Sequence, residues 1–259
     1  MSPTLRLTAD LALGLAGRAI GAKRNQPLVL QLSTDDTLDS ESVPQTANDQ
    51  ETGKDFSPPL SVMLSQYRSS VIWIAGSEPM EYLRVARFTN AAAASRRHVF
   101  LETSGASLRP RLHAFQPSSR FYFAIRFEGC SPSRGQRDSR EGAFRAGLEA
   151  LRMARLAGFC TCARVVLYPD AIGEVEELLT EIHKLDVDGF LITPAARTPE
   201  LAREAGRLRR RLSNRRWGLL SRLLDASASP AAARTPRNFE RQPDPESQPN
   251  TFGEGVEAG

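Results

Sequence analysis

The stretch Val71-Ile72-Trp73-Ile74-Ala75-Gly76-Ser77-Glu78-Pro79 decides the fold, because it joins an apolar strand to a tight polar turn at the start of a helical pattern. Its first five residues are apolar without alternation, which is typical of a strand buried on both faces of a parallel sheet. The segment Met80 to Arg96 then predicts a helix, and the apolar run Val99 to Thr103 predicts the next strand. Together these segments indicate one strand-helix-strand unit.

The same unit recurs along most of the chain, where apolar runs alternate with helical patterns and the connections are short. Such alternation implies parallel strands joined by right-handed crossovers. Six units in about 170 residues fit a partial barrel better than a complete eight-unit barrel. We therefore predict an α/β fold, a TIM-like partial (β/α)6 barrel. The predicted strands are Leu28 to Leu32, Val71 to Ala75, Val99 to Thr103, Tyr122 to Phe127, Ala163 to Tyr168 and Phe190 to Thr193. The predicted helices are Leu60 to Tyr67, Met80 to Arg96, Leu108 to Phe115, Glu141 to Ala157, Ala171 to Leu185 and Pro199 to Leu224.

Three further segments flank or interrupt this series. Residues 1–26 are assigned to an N-terminal helix, because Leu5 to Ile20 has the leucine spacing of an amphipathic helix that packs on the barrel. Residues 27–224 are assigned to the barrel. Within it, residues 34–59 are acidic and low in hydrophobicity, which predicts a disordered loop. Residues 225–259 lack periodicity, which predicts a disordered tail.

Composition argues against several classes of protein. No stretch approaches the roughly 20 consecutive apolar residues of a membrane-spanning helix. Leu11 to Ile20 does not fit a secretory signal, since Asp10 and Arg18 flank or interrupt it. Three cysteines in 259 residues argue against a disulfide scaffold, so a reducing cytoplasm is the expected compartment.

Polar residues that follow the predicted strands are the candidates for a functional site. Loops at the carboxyl ends of parallel strands are free to vary while the strands hold them rigidly, so barrels place their ligands there. In chain order the candidates are Thr34, Asp35 and Asp36; Gly76, Ser77 and Glu78; Thr103, Ser104 and Gly105; Arg126 and Glu128; Tyr168 and Asp170; and Thr193 and Pro194.

Five stretches of this series carry a resemblance to a known family. They are Pro27-Leu28-Val29-Leu30-Gln31-Leu32, Ile74-Ala75-Gly76-Ser77-Glu78-Pro79, Leu101-Glu102-Thr103-Ser104-Gly105, Ala124-Ile125-Arg126-Phe127-Glu128-Gly129 and Val187-Asp188-Gly189-Phe190-Leu191-Ile192-Thr193-Pro194. In this order they resemble strand ends of radical S-adenosylmethionine enzymes, over roughly Leu5 to Pro194. The leading helix and the helix start Arg140 to Phe144 look most like the adenosyl-hopene transferase branch of hopanoid lipid synthesis.

The resemblance implies that Gly76 to Pro79 correspond to the family's Gly-Gly-Glu-Pro element, whose backbone approaches the amino group of S-adenosylmethionine. Glycine suits that role because a side chain would block close approach. This chain has Ser77 at the second glycine and Ser104 where the family usually has asparagine. S-adenosylmethionine therefore remains a candidate cofactor. The resemblance assigns it a vestigial pocket of Gly76, Ser77, Glu78, Pro79, Thr103, Ser104, Arg126 and Glu128.

The loop after the first strand departs further from the family. Radical S-adenosylmethionine enzymes carry Cys-x3-Cys-x2-Cys there, three thiolates that hold a [4Fe-4S] cluster, whereas residues 33–59 of this chain contain no cysteine. Oxygen ligands such as Asp35 and Asp36 are poor substitutes for thiolates on such a cluster. Cys160 and Cys162 precede the fifth predicted strand, at the opposite end from the site, and Cys130 is a single thiolate. We therefore expect no cluster, no bound metal and no catalytic residue.

Other residues admit two interpretations each. Asp35 and Asp36 can bind a divalent cation, or they belong to a solvated acidic loop. Arg126 and Glu128 alternate along one strand and so point to the same face, where they either bind a substrate or form an internal ion pair. The scattered residues His98, His113 and His183 have no zinc-ligand spacing, which favours structural roles.

The segment Pro199 to Leu224 is apolar on one side and rich in arginine on the other. Such a helix can lie on an anionic membrane, and the protein would then be peripheral to the inner face of that membrane. Alternatively, the helix covers the sheet and presents a solvated basic face. Trp217 either anchors it at the interface or packs in the core. Nucleic-acid binding is less favoured, since the chain has no stacking platform or known docking motif.

Three hypotheses remain. The first is a degenerate, non-catalytic homologue of radical S-adenosylmethionine enzymes that binds an unidentified protein or small molecule, with a link to hopanoid or lipid metabolism. The second is an enzyme that retains adenosyl-transfer chemistry with an atypical cluster site. The third is a peripheral membrane accessory protein.

Overall fold

The computed structural model describes residues 3–20, 27–34, 69–82, 84–128, 137–169, 172–173, 175–196, 198–211 and 217–227. Within these residues six parallel strands pair in chain order to form one sheet: β1 (Val29–Ser33), β2 (Val71–Ala75), β3 (His98–Thr103), β4 (Phe121–Glu128), β5 (Cys160–Leu167) and β6 (Gly189–Pro194). The described helices are α1 (Pro3–Ala19), α2 (Val85–Ala94), α3 (Leu108–Arg111), α4 (Arg137–Leu156), α5 (Val175–His183), α6 (Pro199–Arg211) and α7 (Gly218–Ser227). The sheet is curled, and the predicted partial barrel is confirmed.

The convex face of the sheet is covered by the crossover helices. Alternate residues of the strands, such as Ile74, Leu101 and Phe123, join apolar residues of α2, α4, α5 and α6 in one large core. Both faces of β3 are buried along its whole length. Burial on both faces explains why the strands are continuous apolar runs and why they are recognisable in the sequence.

The concave face has a smaller core of its own at the amino ends of the strands. Leu7 and Leu11 of α1, and Leu220 and Leu224 of α7, pack there against the strand residues that point inward. Aromatic rings dominate this core, because Trp73 stacks on Phe100 at 5.1 Å and Phe100 stacks on Tyr122 at 4.6 Å. Trp217 lies edge-on to Phe100 and to Tyr122, at 5.6 Å from each. We call this layer the aromatic floor, formed by Trp73, Phe100, Tyr122 and Trp217.

Two of the predicted helices are wrong in extent. The segment Pro199 to Leu224 forms two helices, α6 and α7, rather than one. The helix predicted at Met80 to Arg96 begins only at Val85, because Pro79–Glu81 form a 3₁₀ turn and Tyr82 has an extended backbone with ψ of 129°. Proline is tolerated at the first position of that turn, and the extended backbone of Tyr82 ends it after three residues.

Smaller differences concern the ends of the chain and β5. Strand β5 begins at Cys160, three residues before the predicted start at Ala163, because Cys160 and Cys162 pair with β4 as small apolar residues. Helix α7 continues to Ser227, past the predicted start of the tail at Asp225. On α1, Leu5, Leu13 and Leu15 are exposed, so its leucine content exceeds what the barrel buries. The predicted loop, the helix Leu60 to Tyr67 and the tail beyond Ser227 lie outside the described residues, apart from Thr34.

A partly buried polar cluster attaches α1 to the amino end of the sheet. Asp10 Oδ2 lies 2.9 Å from His98 Nε2 and accepts a hydrogen bond from Arg120 Nη1 at 2.8 Å. Burial lowers the pKa of the His98 imidazole, although the bond to Asp10 opposes this. Burial raises the pKa of the Asp10 carboxyl, but its hydrogen bonds to His98 and Arg120 reverse that effect and leave the pKa below its usual value.

We expect the stability of the protein to fall as the pH drops below about 6.5. The folded-state pKa of His98 lies below its unfolded value, so the unfolded chain binds more protons in this range and gains stability from them. The stabilisation is complete above the unfolded pKa and is lost as the pH falls toward the folded one. Urea unfolding between pH 7.5 and pH 5 measures this slope. In His98→Asn the slope should be smaller over the same interval, and an equal slope in both proteins would contradict the assignment.

Candidate functional site

The turn that follows β2 lies at the carboxyl edge of the sheet. Gly76 has a φ of 149°, a value that residues with a side chain rarely adopt. The next residues carry the chain into the 3₁₀ turn at Pro79–Glu81, where Met80 and Pro79 are buried. The side chain of Arg111 donates to the Met80 carbonyl oxygen at 2.9 Å and holds this turn from outside. The hydrogen bond from Arg111 therefore fixes the end of the turn at Met80.

Glu78 joins this turn to the end of β3. Its carboxylate accepts hydrogen bonds from Thr103 Oγ1, from Ser104 Oγ at 2.7 Å and from the Ser104 backbone N–H at 3.1 Å. Thr103 Oγ1 in turn accepts from the Gly105 N–H at 3.0 Å. The serine that departs from the family's asparagine is thus a partner of Glu78, and the four residues form one network.

Arg126 connects the same turn to β4. Its Nη1 donates to the Gly76 carbonyl oxygen at 2.9 Å, and its Nη2 donates to the Ser77 carbonyl oxygen at 3.3 Å. Its Nε lies 3.0 Å from Glu128 Oε1, so the two residues form an ion pair, but Glu128 is mostly exposed and the pair is not internal as predicted. The guanidinium group thus donates a hydrogen bond to each of the two carbonyl oxygens at the start of the turn.

Three inward-facing residues that sequence reasoning missed lie directly beside Arg126. Glu102 of β3 accepts from Trp73 Nε1 at 3.0 Å and from Arg126 Nη1 at 3.3 Å. Arg164 of β5 donates to Glu102 Oε2, the same oxygen that accepts from Trp73. The guanidinium carbon of Arg164 lies 5.6 Å from the centroid of the Trp73 ring. The signal for this group is the alternation of each strand, which points residues 73, 102, 126 and 164 to one face.

The remaining candidates have simpler surroundings or cannot be placed. Thr34 is buried, and its hydroxyl donates to the Ala75 carbonyl oxygen at 3.3 Å. Tyr168 is exposed at the end of β5, and Thr193 Oγ1 accepts from Arg164 Nε at 3.4 Å. Asp35, Asp36, Asp170 and Cys130 lie outside the described residues.

Cys160 and Cys162 are buried thiols on the concave face, near the amino end of β5. Burial raises the pKa of the Cys160 thiol to about 12 and that of Cys162 still further. Thiols of this kind remain protonated and are poor metal ligands at neutral pH. Among the described residues no group of three or more histidine, cysteine or acidic side chains is arranged to hold a metal ion.

Solved structures with a similar fold include two crystal structures of SuiB from Streptococcus suis. The first aligns with a TM-score of 0.52 at 12% sequence identity and covers 76% of this chain and 50% of that chain. The second, bound to the precursor peptide SuiA, aligns with a TM-score of 0.51 at 11% identity and covers 73% and 47%. This chain thus spans about half the length of the SuiB chains. No family model and no curated protein matches the sequence.

At these identities the likeness shows the fold alone. The partial barrel that the sequence predicts is therefore a fold shared with SuiB, while membership of the radical S-adenosylmethionine superfamily stays a prediction. The hopene-transferase branch and the assignment of individual pocket residues stay predictions. None of the described helices has both the length and the apolar character that a bilayer crossing requires.

Proposed function

We propose that this chain is a radical S-adenosylmethionine homologue that has lost the radical-generating cluster and acts by binding. Two kinds of evidence support the proposal. The partial barrel is the fold that the resemblance implies, while the loop that should supply three thiolates contains no cysteine. The second kind of evidence comes from the contacts at the turn Gly76 to Pro79. The resemblance implies that this turn would bind the amino group of S-adenosylmethionine.

The contacts of Arg126 carry the proposal. An ammonium group would need backbone carbonyl oxygens at this turn, and those of Gly76 and Ser77 already accept from the guanidinium group. A second cation beside Arg126 would also be repelled, because like charges a few ångströms apart interact unfavourably. The carboxylate of Glu78 is engaged by Thr103 and Ser104. Each of these oxygens can accept a further bond, so the positive charge of Arg126 is the feature that opposes the amino group of S-adenosylmethionine at this turn.

The two remaining hypotheses have less support from the described residues. Leu201, Ala205 and Leu208 of α6 are buried in the convex core, so that helix presents its arginine-rich side and not an apolar side to the solvent. Trp217 is buried in the aromatic floor. These contacts favour a sheet-covering role for Pro199 to Leu224 over a membrane anchor. No contact in the described residues points specifically to adenosyl transfer or to a hopanoid ligand.

Anaerobic reconstitution with iron and sulfide tests the proposal. The full-length protein is expected to bind no stoichiometric [4Fe-4S] cluster, as measured by iron content and by absorbance in the visible region. Incubation with S-adenosylmethionine and a strong reductant should then give no 5′-deoxyadenosine. A radical enzyme with an intact three-cysteine motif, treated in parallel, serves as the positive control.

Either of two results would overturn the proposal. One is a stoichiometric cluster in the wild-type protein that survives removal of excess iron. The other is 5′-deoxyadenosine formed at a rate that depends on the concentration of this protein.

A further inference from the structure

The concave face carries two arginines at directly paired positions. Arg126 of β4 and Arg164 of β5 are register partners in neighbouring parallel strands. Like charges that face each other across two strands destabilise a sheet unless an anion lies between them. Glu102 is that anion, and it bonds to both guanidinium groups. The Glu102 carboxylate is thus shared by the two arginines on the concave face.

The two arginines differ in what else they contact. Arg126 uses its remaining nitrogens on the carbonyl oxygens of Gly76 and Ser77 and on Glu128. Arg164 has only Glu102 and, at 3.4 Å, Thr193 Oγ1 as hydrogen-bond partners within the described residues. Its Nη2 therefore has no partner there, and its side chain is 26% exposed. Arg164 is the cation of the pair that has donor capacity left for a ligand.

Arg164 is also held in a defined orientation. Its guanidinium group lies over the Trp73 ring, which rests on Phe100 of the aromatic floor. The Trp73 indole is fixed in turn by its hydrogen bond to Glu102 at 3.0 Å. A guanidinium group that is already oriented loses little conformational entropy on binding, and its planar set of donors matches carboxylate and phosphate oxygens. Thr193, whose hydroxyl lies within reach of Arg164, adds a neutral donor beside it.

We propose that Arg164 and Thr193 bind the carboxylate or phosphate group of a small anionic ligand that enters the concave face from the carboxyl ends of the strands. The inference rests on the proposed binding function and names its ligand class. Glu102 keeps Arg164 in place, and Arg126 supplies a second positive charge close by. Glu128 at the rim, 58% exposed, is screened by solvent and offsets that charge only weakly.

The two tryptophans of the chain provide a built-in test. The Trp73 indole N–H is bonded to Glu102 beside Arg164, whereas the Trp217 indole N–H is bonded to the Asp188 carbonyl oxygen beneath the floor. In a 15N-labelled protein each indole gives one NMR signal, and Trp217→Phe assigns them. Sodium phosphate and sodium acetate are titrated separately at constant ionic strength. We expect a saturable shift of the Trp73 signal with at least one of them and no shift of the Trp217 signal.

Variants separate a specific site from general charge effects. Arg164→Gln should weaken binding about tenfold or more, because a hydrogen bond to a charged group is lost. Thr193→Val leaves the Arg164–Glu102 pair intact, so it should fold normally and bind more weakly. Arg203→Gln, at an exposed arginine on α6, is the matched control and should bind like the wild type.

The outcomes decide between the alternatives. A response to phosphate alone, or to acetate alone, identifies the anion. Equal shifts of both indole signals, an unsaturable response to both anions, or unchanged affinity in both Arg164→Gln and Thr193→Val would overturn the inference. Its failure is distinguishable from failure of the proposed function, since the cluster assay does not depend on anion binding.

Discussion

Replacing Trp217 with alanine is expected to lower the free energy of unfolding by about 3–5 kcal/mol. The side chain is 1% exposed, contacts Phe100 and Tyr122 edge-on, and donates to the Asp188 carbonyl oxygen at 2.9 Å. Truncation leaves a cavity between α7 and the sheet and an unpaired carbonyl oxygen. Urea unfolding followed by far-ultraviolet circular dichroism measures the loss without using tryptophan fluorescence.

Gly189 gives this prediction an internal control. A Cβ atom at Gly189 would lie 1.9 Å from Trp217 Cε2, so Gly189→Ala should cost about 1–3 kcal/mol or more through overpacking. In the Trp217→Ala background the obstructing ring is gone, and the same change should cost close to nothing. A double-mutant cycle measures this coupling. If Gly189→Ala costs the same in both backgrounds, the placement of Trp217 against β6 is wrong.

Replacing Glu102 with alanine is expected to cost about 3 kcal/mol, at the lower end of the range for breaking a buried ion pair. Glu102 is 2% exposed and is the anion between Arg126 and Arg164. Its removal leaves two facing guanidinium groups and the Trp73 N–H without an acceptor. The arginines are about a quarter exposed, which moderates the cost because water can partly solvate them.

Glu128→Ala is the matched control, since it removes another carboxylate partner of the same arginine. Glu128 is 58% exposed, so its loss should change the unfolding free energy by no more than about 1 kcal/mol. Glu102→Leu combined with Arg164→Met should recover part of the stability lost in Glu102→Ala, because an apolar pair replaces a broken ionic one. Similar costs for Glu102→Ala and Glu128→Ala would show that burial does not set the strength of this pair.

The sequence predicts the strands well because each is a continuous apolar run, a pattern imposed by burial on both faces. Position along a strand also identifies Gly76, Thr103 and Arg126 as neighbours at one edge. The single helix predicted over Pro199 to Leu224 is wrong because arginine and leucine positions continue with helical spacing through residues 212–216 of the sequence.

The Glu102 cluster is harder to predict because its partners are distant in sequence. Trp73, Arg126 and Arg164 lie 29, 24 and 62 residues from Glu102. Their meeting depends on the register of β2 to β5, and one residue of slip would turn each side chain to the opposite face. The alternation within each strand indicates which residues share a face, but it does not show which residues of different strands lie side by side.

The aromatic floor limits the routes by which a ligand can enter or leave the concave face. Helices α1 and α7 pack beneath it, so the amino end of the described part of the barrel is closed. A molecule bound at Arg164 cannot leave past the amino ends of the strands. Residence time would therefore be set at the rim, where Arg126 holds the Gly76 turn, and changes to the floor should alter stability while leaving the route of escape unchanged.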